Sequence, residues 1–216
     1  MQTYNAIVHF FQSGGFWMVP IAIALGFGLA IAIERFIYLN NARQTNRELW
    51  EKLLVLLGRN EYEQASSLAA ESNTAIGRIM SHGLSRLRSA RRREDVEMAL
   101  EESLMETIPE LERRTHYLAT LANVATLLGL LGTIIGLIQA FTAIASVNPV
   151  EKADLLSASI SVAMNTTAFG LMVAIPLLLI HAWLQSVTSE VVDSLEMASI
   201  KFLNLMQLRD GGDAAG

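Results

Sequence analysis

The chain has 216 residues, 52% of them hydrophobic and 17% charged, with 16 Lys and Arg against 21 Asp and Glu and a net charge of −5. That balance gives no electropositive footprint for nucleic acid, and the absence of cysteine excludes disulfides, thiolate nucleophiles and sulfur ligands for zinc. A mean hydropathy of +0.37 is too apolar for the charged surface that a soluble chain of this length needs.

Three long stretches contain no Asp, Glu, Lys or Arg: Gln2 to Ile33, Thr115 to Val150 and Leu155 to Ser189. Each supplies the roughly 20 apolar helical residues that a hydrocarbon core about 30 Å thick requires. The pattern predicts an all-α membrane protein: three transmembrane helices, a helical cytoplasmic region, and long helices extending into the cytoplasm. Four regions follow in chain order: residues 1–39 with the periplasmic amino terminus and first span, a cytoplasmic region over 40–117, the second and third spans over 118–189, and a cytoplasmic extension and tail over 190–216.

The first span is expected from about Phe16 to Tyr38, after Ser13-Gly14-Gly15, with Phe10, Phe11, Phe16 and Trp17 suited to an interface. Pro20 falls near its start, where a missing backbone donor costs little. No basic segment precedes it, so it reads as a retained span and not a cleaved signal. The middle region carries twelve Lys and Arg between Asn40 and Tyr117, and Arg35, Arg43, Arg113 and Arg114 flank span ends. Positive charge stays on the cytoplasmic side, which puts the amino terminus outside and the middle region and tail inside.

Within that region Glu48 to Leu57 and Tyr62 to Ala70 read as amphipathic helical pieces separated by Gly58-Arg59-Asn60, and Val96, Leu100, Leu104, Ile108 and Leu111 recur at helical spacing, with Pro109 able to kink the last piece. Arg91, Arg92 and Arg93 read as a solvated face balanced by Glu94, Asp95 and Glu97. The second span is expected from about Leu118 to Ser146, and the third from about Leu155 into the region of Trp183. Beyond Glu190, the tail aligns Val191, Leu195, Ala198 and Phe202 on one side.

Small residues mark the two later spans. On the second, Ala122, Thr126, Gly129, Thr133, Gly136 and Ala140 recur every three or four residues; on the third, Ala163, Thr167, Gly170 and Ala174 form the matching face, with Ser161 and Asn165 along a neighbouring edge. Such stripes let helices approach closely, and their hydroxyls either bond to preceding carbonyls or face a polar passage. Asn165, Thr166 and Thr167 are consecutive and spread over about 200 degrees, so at least one of them is structural. Pro176 removes a hydrogen bond to Met172, and His181 beside Trp183 reads as interfacial. A proton path normally needs an ionisable group at depth; here another chain must bring it. The histidines show no metal-ligand spacing and there is no phosphate-binding Gly-Lys-Ser/Thr loop, so no enzyme and no cofactor are expected.

Residues 128–137 (Leu-Gly-Leu-Leu-Gly-Thr-Ile-Ile-Gly-Leu) and 165–176 (Asn-Thr-Thr-Ala-Phe-Gly-Leu-Met-Val-Ala-Ile-Pro), taken with the order of span ends, resemble the MotA/TolQ/ExbB proton-channel family, closer to its ExbB and TolQ branch. The resemblance implies a bacterial inner-membrane motor subunit that forms a homo-pentamer in membrane lipid, around two single-span ExbD/TolR-like partners, and is driven by the proton gradient, with a TonB/TolA-like protein as a further partner. The partner's intramembrane Asp would exchange the proton. Thr133 and Thr167 match the two pore-facing threonines, and Thr166 and Asn165 are candidate companions. A ring of hydroxyls is suited to stabilising a carboxyl group without trapping the proton as a fixed charge would. The helix-packing set is Thr126, Gly129, Gly136, Gly170 and Pro176. Many ExbB-type chains have Glu five residues before the second threonine, where this one has Val162, which argues against an internal carboxylate relay. Glu151 and Asp154 either attract cations at the mouth or cap the third helix. A passive oligomeric scaffold without ion conduction is the alternative reading.

Overall fold

In a computed structural model of the protein, residues 15–87, 92–145 and 152–213 are described, with side chains as far as Met206. Phe10, Phe11, Ser13, Gly14, Arg91, Ser146 and the link from Val147 to Glu151 lie outside them. All regular structure among the described residues is helical: α1 Met18–Gly58, α2 Tyr62–Glu71, α3 Ala75–Leu87, α4 Arg93–Glu112, α5 Thr115–Ile144 and α6 Lys152–Asp213. Three of the helices are long and apolar enough to cross a bilayer, so the chain is an all-α, multi-pass membrane protein.

Two differences from the expected elements have local causes. The piece at Glu48 to Leu57 is not separate; α1 runs unbroken for 41 residues, because Asn40 to Arg47 contains neither Gly nor Pro. Side chains reinforce this stretch: Thr45 Oγ1 donates to the Asn41 carbonyl at 2.9 Å, and Gln44 and Arg47 bond to Glu48 and Glu51 one turn on. The helix stops at Gly58, and Asn60 takes a left-handed φ of 61° in the turn. The second difference is α3, whose Gly77 and Gly83 weaken its helical signal in the sequence, yet whose Ile76, Ile79, Met80 and Leu84 form a buried face. Neither Pro109 in α4 nor Pro176 in α6 ends its helix.

The chain divides into two compact units, residues 1–34 with 114–183, and residues 35–113 with 184–216. The first contains the apolar parts of α1, α5 and α6. The second has its own core, drawn from Leu49, Leu53 and Leu57 of α1, Ala65 and Ala69 of α2, Ile76, Ile79 and Met80 of α3, Val96, Leu100 and Leu111 of α4, and Val191, Leu195 and Phe202 of α6.

Two buried polar groups fix helix ends in this second unit. Arg35 is 2% exposed; its guanidinium donates to the Leu111 carbonyl and its Cζ lies 4.6 Å from the Tyr38 ring centroid. Leu111 stands in the last turn of α4, where carbonyls lack helical partners and a cation is favoured. Asn46 of α1 accepts the Ile76 N–H on its Oδ1 at 3.1 Å, satisfying a donor in the first turn of α3. Asn46→Ala should therefore cost about 1–3 kcal/mol in chemical unfolding of the purified protein, because it leaves the Ile76 N–H without its partner in a buried site.

Arg78 and Glu110 form an ion pair at 2.6 Å between α3 and α4. The hydrogen bond from Arg78 holds the Glu110 carboxyl below its ordinary pKa, and the same bond raises that of Arg78. Because the carboxyl is depressed in the folded state, its contribution is complete at neutral pH and fades as pH falls through the folded value. The pair is about half exposed, so Glu110→Gln should lower stability by no more than about 1 kcal/mol at pH 7, and the difference from wild type should vanish in acid.

Candidate functional site

The candidate site lies in the first unit, where α5 and α6 meet along small residues. A Cβ added to Gly170 would lie 2.7 Å from the Ala125 carbonyl oxygen and 3.1 Å from Gly129 Cα. One added to Gly129 would lie 3.2 Å from Thr167 Cα and 3.3 Å from Gly170 Cα. The two backbones are thus in direct contact, which is what glycine permits here. The seam continues through Gly132, which receives the Thr166 methyl, and Gly136, which receives Ala163.

One threonine hydroxyl bridges the two helices at the centre of this seam. Thr167 of α6 donates its hydroxyl to the Gly129 carbonyl of α5 at 2.8 Å. The same carbonyl is the i−4 acceptor of the Thr133 amide in the helical ladder of α5. Thr133 and Thr167 are both half-buried, at the border between seam and surface. The Thr133 hydroxyl donates back to the Leu130 carbonyl at 2.6 Å, so its lone pairs stay available to accept a further bond.

The other expected residues divide. Thr166 is 2% exposed, with its hydroxyl donated to Val162 at 3.1 Å, and lies inside the protomer. Asn165 is half-buried and Ser161 is exposed. Thr126 stands at the exposed edge of the seam, with its hydroxyl on the Ala122 carbonyl, and buried Ala125 and Gly132 take the contact positions. Pro176 is exposed, and Leu177 beside it is fully buried where α1 passes: a Cβ on Gly28 would lie 2.7 Å from Leu177 Cδ2. Val162 is near Gly15 of the segment leading into α1. Asp154 is exposed in the first turn of α6, where a carboxylate complements the helix dipole.

The outer surfaces of the three helices differ in chemistry. From Met18 to Ile33, α1 has no polar side chain, and it exposes Val19, Ile23, Phe27, Leu29 and Ile33. By contrast, α5 exposes Asn123 and Thr126, and α6 exposes Ser157 and Ser161. Asn123 escaped the sequence reading because it falls outside the small-residue stripe; the usable signal was a carboxamide, one of two with Gln139, in a largely apolar and hydroxylic span. No Asp, Glu, Lys or Arg lies between Thr115 and Ile144, and no group of His, Cys, Asp and Glu among the described residues could hold a metal ion. The site can accept and donate hydrogen bonds but cannot itself take up a charge at depth.

Residues 71–197, which include this seam, match the family model described as the MotA/TolQ/ExbB proton channel family. Curated relatives agree. A putative biopolymer transport protein ExbB homolog of Methanothermobacter thermautotrophicus is 27% identical over 90% of this chain and 68% of its own length. A putative biopolymer transport protein ExbB-like 3 of Synechocystis is 32% identical over 78% of this chain and 80% of its own length. A shorter match, 41% identical over 59 residues, is to biopolymer transport protein exbB1 of Vibrio cholerae, covering 27% of this chain and 26% of that protein. With more than half of the chain inside the family match and the seam within it, this chain belongs to the MotA/TolQ/ExbB proton channel family, in its ExbB-like branch.

Proposed function

We propose that the chain is a proton-motive-force-driven motor subunit of the bacterial inner membrane that energises transport or another envelope process through partner proteins. Five copies surround a pair of single-span ExbD/TolR-like proteins, with a TonB/TolA-like protein as the recipient of the work. The amino terminus is periplasmic, the carboxy terminus cytoplasmic. The observation that carries this reading is a pair of half-buried hydroxyls, Thr167 bonded across to the Gly129 carbonyl of α5 and Thr133 one turn further along that helix, within a span free of charge. Such a site handles a proton only if a partner's carboxyl group is brought to it: Thr133 accepts from the protonated form through its free lone pairs and donates to the ionised form by turning its hydrogen away from the Leu130 carbonyl. The wholly apolar outer side of α1 suits lipid, whereas the exposed amide and hydroxyls of α5 and α6 suit a lumen.

Energy supply is adequate without nucleotide, since one charge crossing 100 mV releases about 2.3 kcal/mol. The test is proton flux through liposomes containing the protein copurified with its single-span partner, compared for wild type and Thr133→Val. Unchanged flux in a normally assembled complex would sink the reading. The bond from Thr167 to Gly129 favours one element of the scaffold alternative, that this hydroxyl also holds α6 to α5. Thr133 is therefore the cleaner probe.

A further inference from the structure

Asn123 is an exposed carboxamide eight residues into α5. With Thr115, beside Arg113 and Arg114, taken as the outer edge of the headgroups, Asn123 lies about 12 Å along the helix at 1.5 Å per residue, deeper than the headgroup zone, which is about 5–8 Å thick. Its side chain is too short to reach that zone, and among the described residues no hydrogen-bond partner for its amide is present. An amide in lipid without partners is costly. The surface bearing Asn123 therefore faces water or another protein, unlike the surface of α1.

Along α5 from Asn123, the same broad side of the helix carries Thr126, Leu130 and Thr133, at offsets of three, seven and ten residues. Leu127 and Leu130, 63% and 52% exposed, place isobutyl groups between Asn123 and Thr133 on this side, with Leu130 directly before Thr133 in the series. Repeated around a lumen, an apolar group between wet stations forms a constriction that empties of water when narrow.

We propose that Asn123 and Leu130 form a gate at the end of the passage next to Arg113 and Arg114: Asn123 is a positioning residue that holds water at the entrance, and Leu130 is the collar that keeps this water from Thr133. This rests on the reading of α5 as lumen-facing, and it adds where the passage is wet and where it is dry. The collar prevents protons from leaking past the carboxyl that should carry them. It also makes the site at Thr133 accessible from one side only until the partner moves.

The chain has no cysteine, so single cysteines report without background. In the complex with its partner in inside-out membrane vesicles, a membrane-impermeant maleimide should label Asn123→Cys at least about tenfold faster than Ile23→Cys on the apolar side of α1. Thr133→Cys should label slowly, and Leu130→Ser in the same chain should accelerate it, with a raised proton leak in the partner-bound complex. Asn123→Leu should reduce coupled flux without changing assembly, and Asn123→Gln should restore it.

Labelling of Asn123→Cys no faster than Ile23→Cys overturns the wet entrance. Equal labelling of Thr133→Cys with and without the Leu130→Ser substitution overturns the collar. Either result leaves the motor reading standing if Thr133→Val still lowers flux about tenfold or more, whereas intact flux in Thr133→Val with labelling as expected removes the motor and leaves a gated pore.

Discussion

Replacing Thr133 by valine should lower proton flux by roughly tenfold or more while leaving the protein folded and assembled. The side chains are nearly isosteric, so packing is unchanged, and the lost bond is to the Leu130 carbonyl, which already serves the helical ladder. What disappears is a hydrogen-bonding group at the border of the seam, where the carboxyl that we propose a partner brings would have few other polar neighbours. Losing one bond worth about 1.5–3 kcal/mol to a charged group corresponds to a ten- to hundredfold change in rate if it acts at the barrier. Thr167→Val should reduce flux as well, but should also loosen α6 from α5, since its 2.8 Å bond to Gly129 is lost. Thr167→Ser keeps the donor and should preserve both. The readout is dye-reported flux in liposomes, paired with the assembled mass of the complex in detergent. A Thr133→Val complex that conducts like wild type contradicts the assignment.

Gly170→Ala should be the most damaging single-methyl change in the membrane unit. The new Cβ meets the Ala125 carbonyl oxygen at 2.7 Å and Gly129 Cα at 3.1 Å, both backbone atoms of a regular helix that cannot rotate out of the way. Separating the helices enough to admit it costs about 1–3 kcal/mol in strain and lost packing, and also breaks the bond from Thr167 to Gly129. Gly26→Ala is the control, because nothing lies within 4 Å of its added Cβ; it should be neutral or gain up to about 1 kcal/mol in helix propensity. Unfolding midpoints of the two variants in one detergent check this. Identical midpoints would mean that the seam is looser than its backbone contacts imply.

Much of this architecture was legible in the chain because the membrane imposes simple rules. Long stretches without charge marked the three spans, and Gly58-Arg59-Asn60 marked the end of α1. Continuity of α1 past Asn40 was not visible, since its apolar pattern fades there while helix-compatible residues continue. Nor was α3, whose two glycines obscure a buried face settled only by packing. In the seam, a period of three and four selected Gly129, Gly136 and Gly170 as small, but could not choose between neighbours about 100 degrees apart. Ala125 and Gly132 occupy the contact where Thr126 and Thr133 were equally compatible with the spacing. That displacement matters for Thr126, expected in the packing set, because it moves that hydroxyl from the packed interior to its exposed edge.

Helices separated by side chains accommodate movement by small rotamer changes, but α5 and α6 touch at Cα atoms. Shear compliance along Ala125 to Gly136 is correspondingly low, and a sliding step would drive Gly170 into the Ala125 carbonyl. Two rods joined in this manner behave as one stiff plank, with Leu177 pinned beneath Gly28 as a dowel to the third. On the proposed motor reading, a stroke would rock this three-helix block as a unit, with no piston motion of α5 against α6.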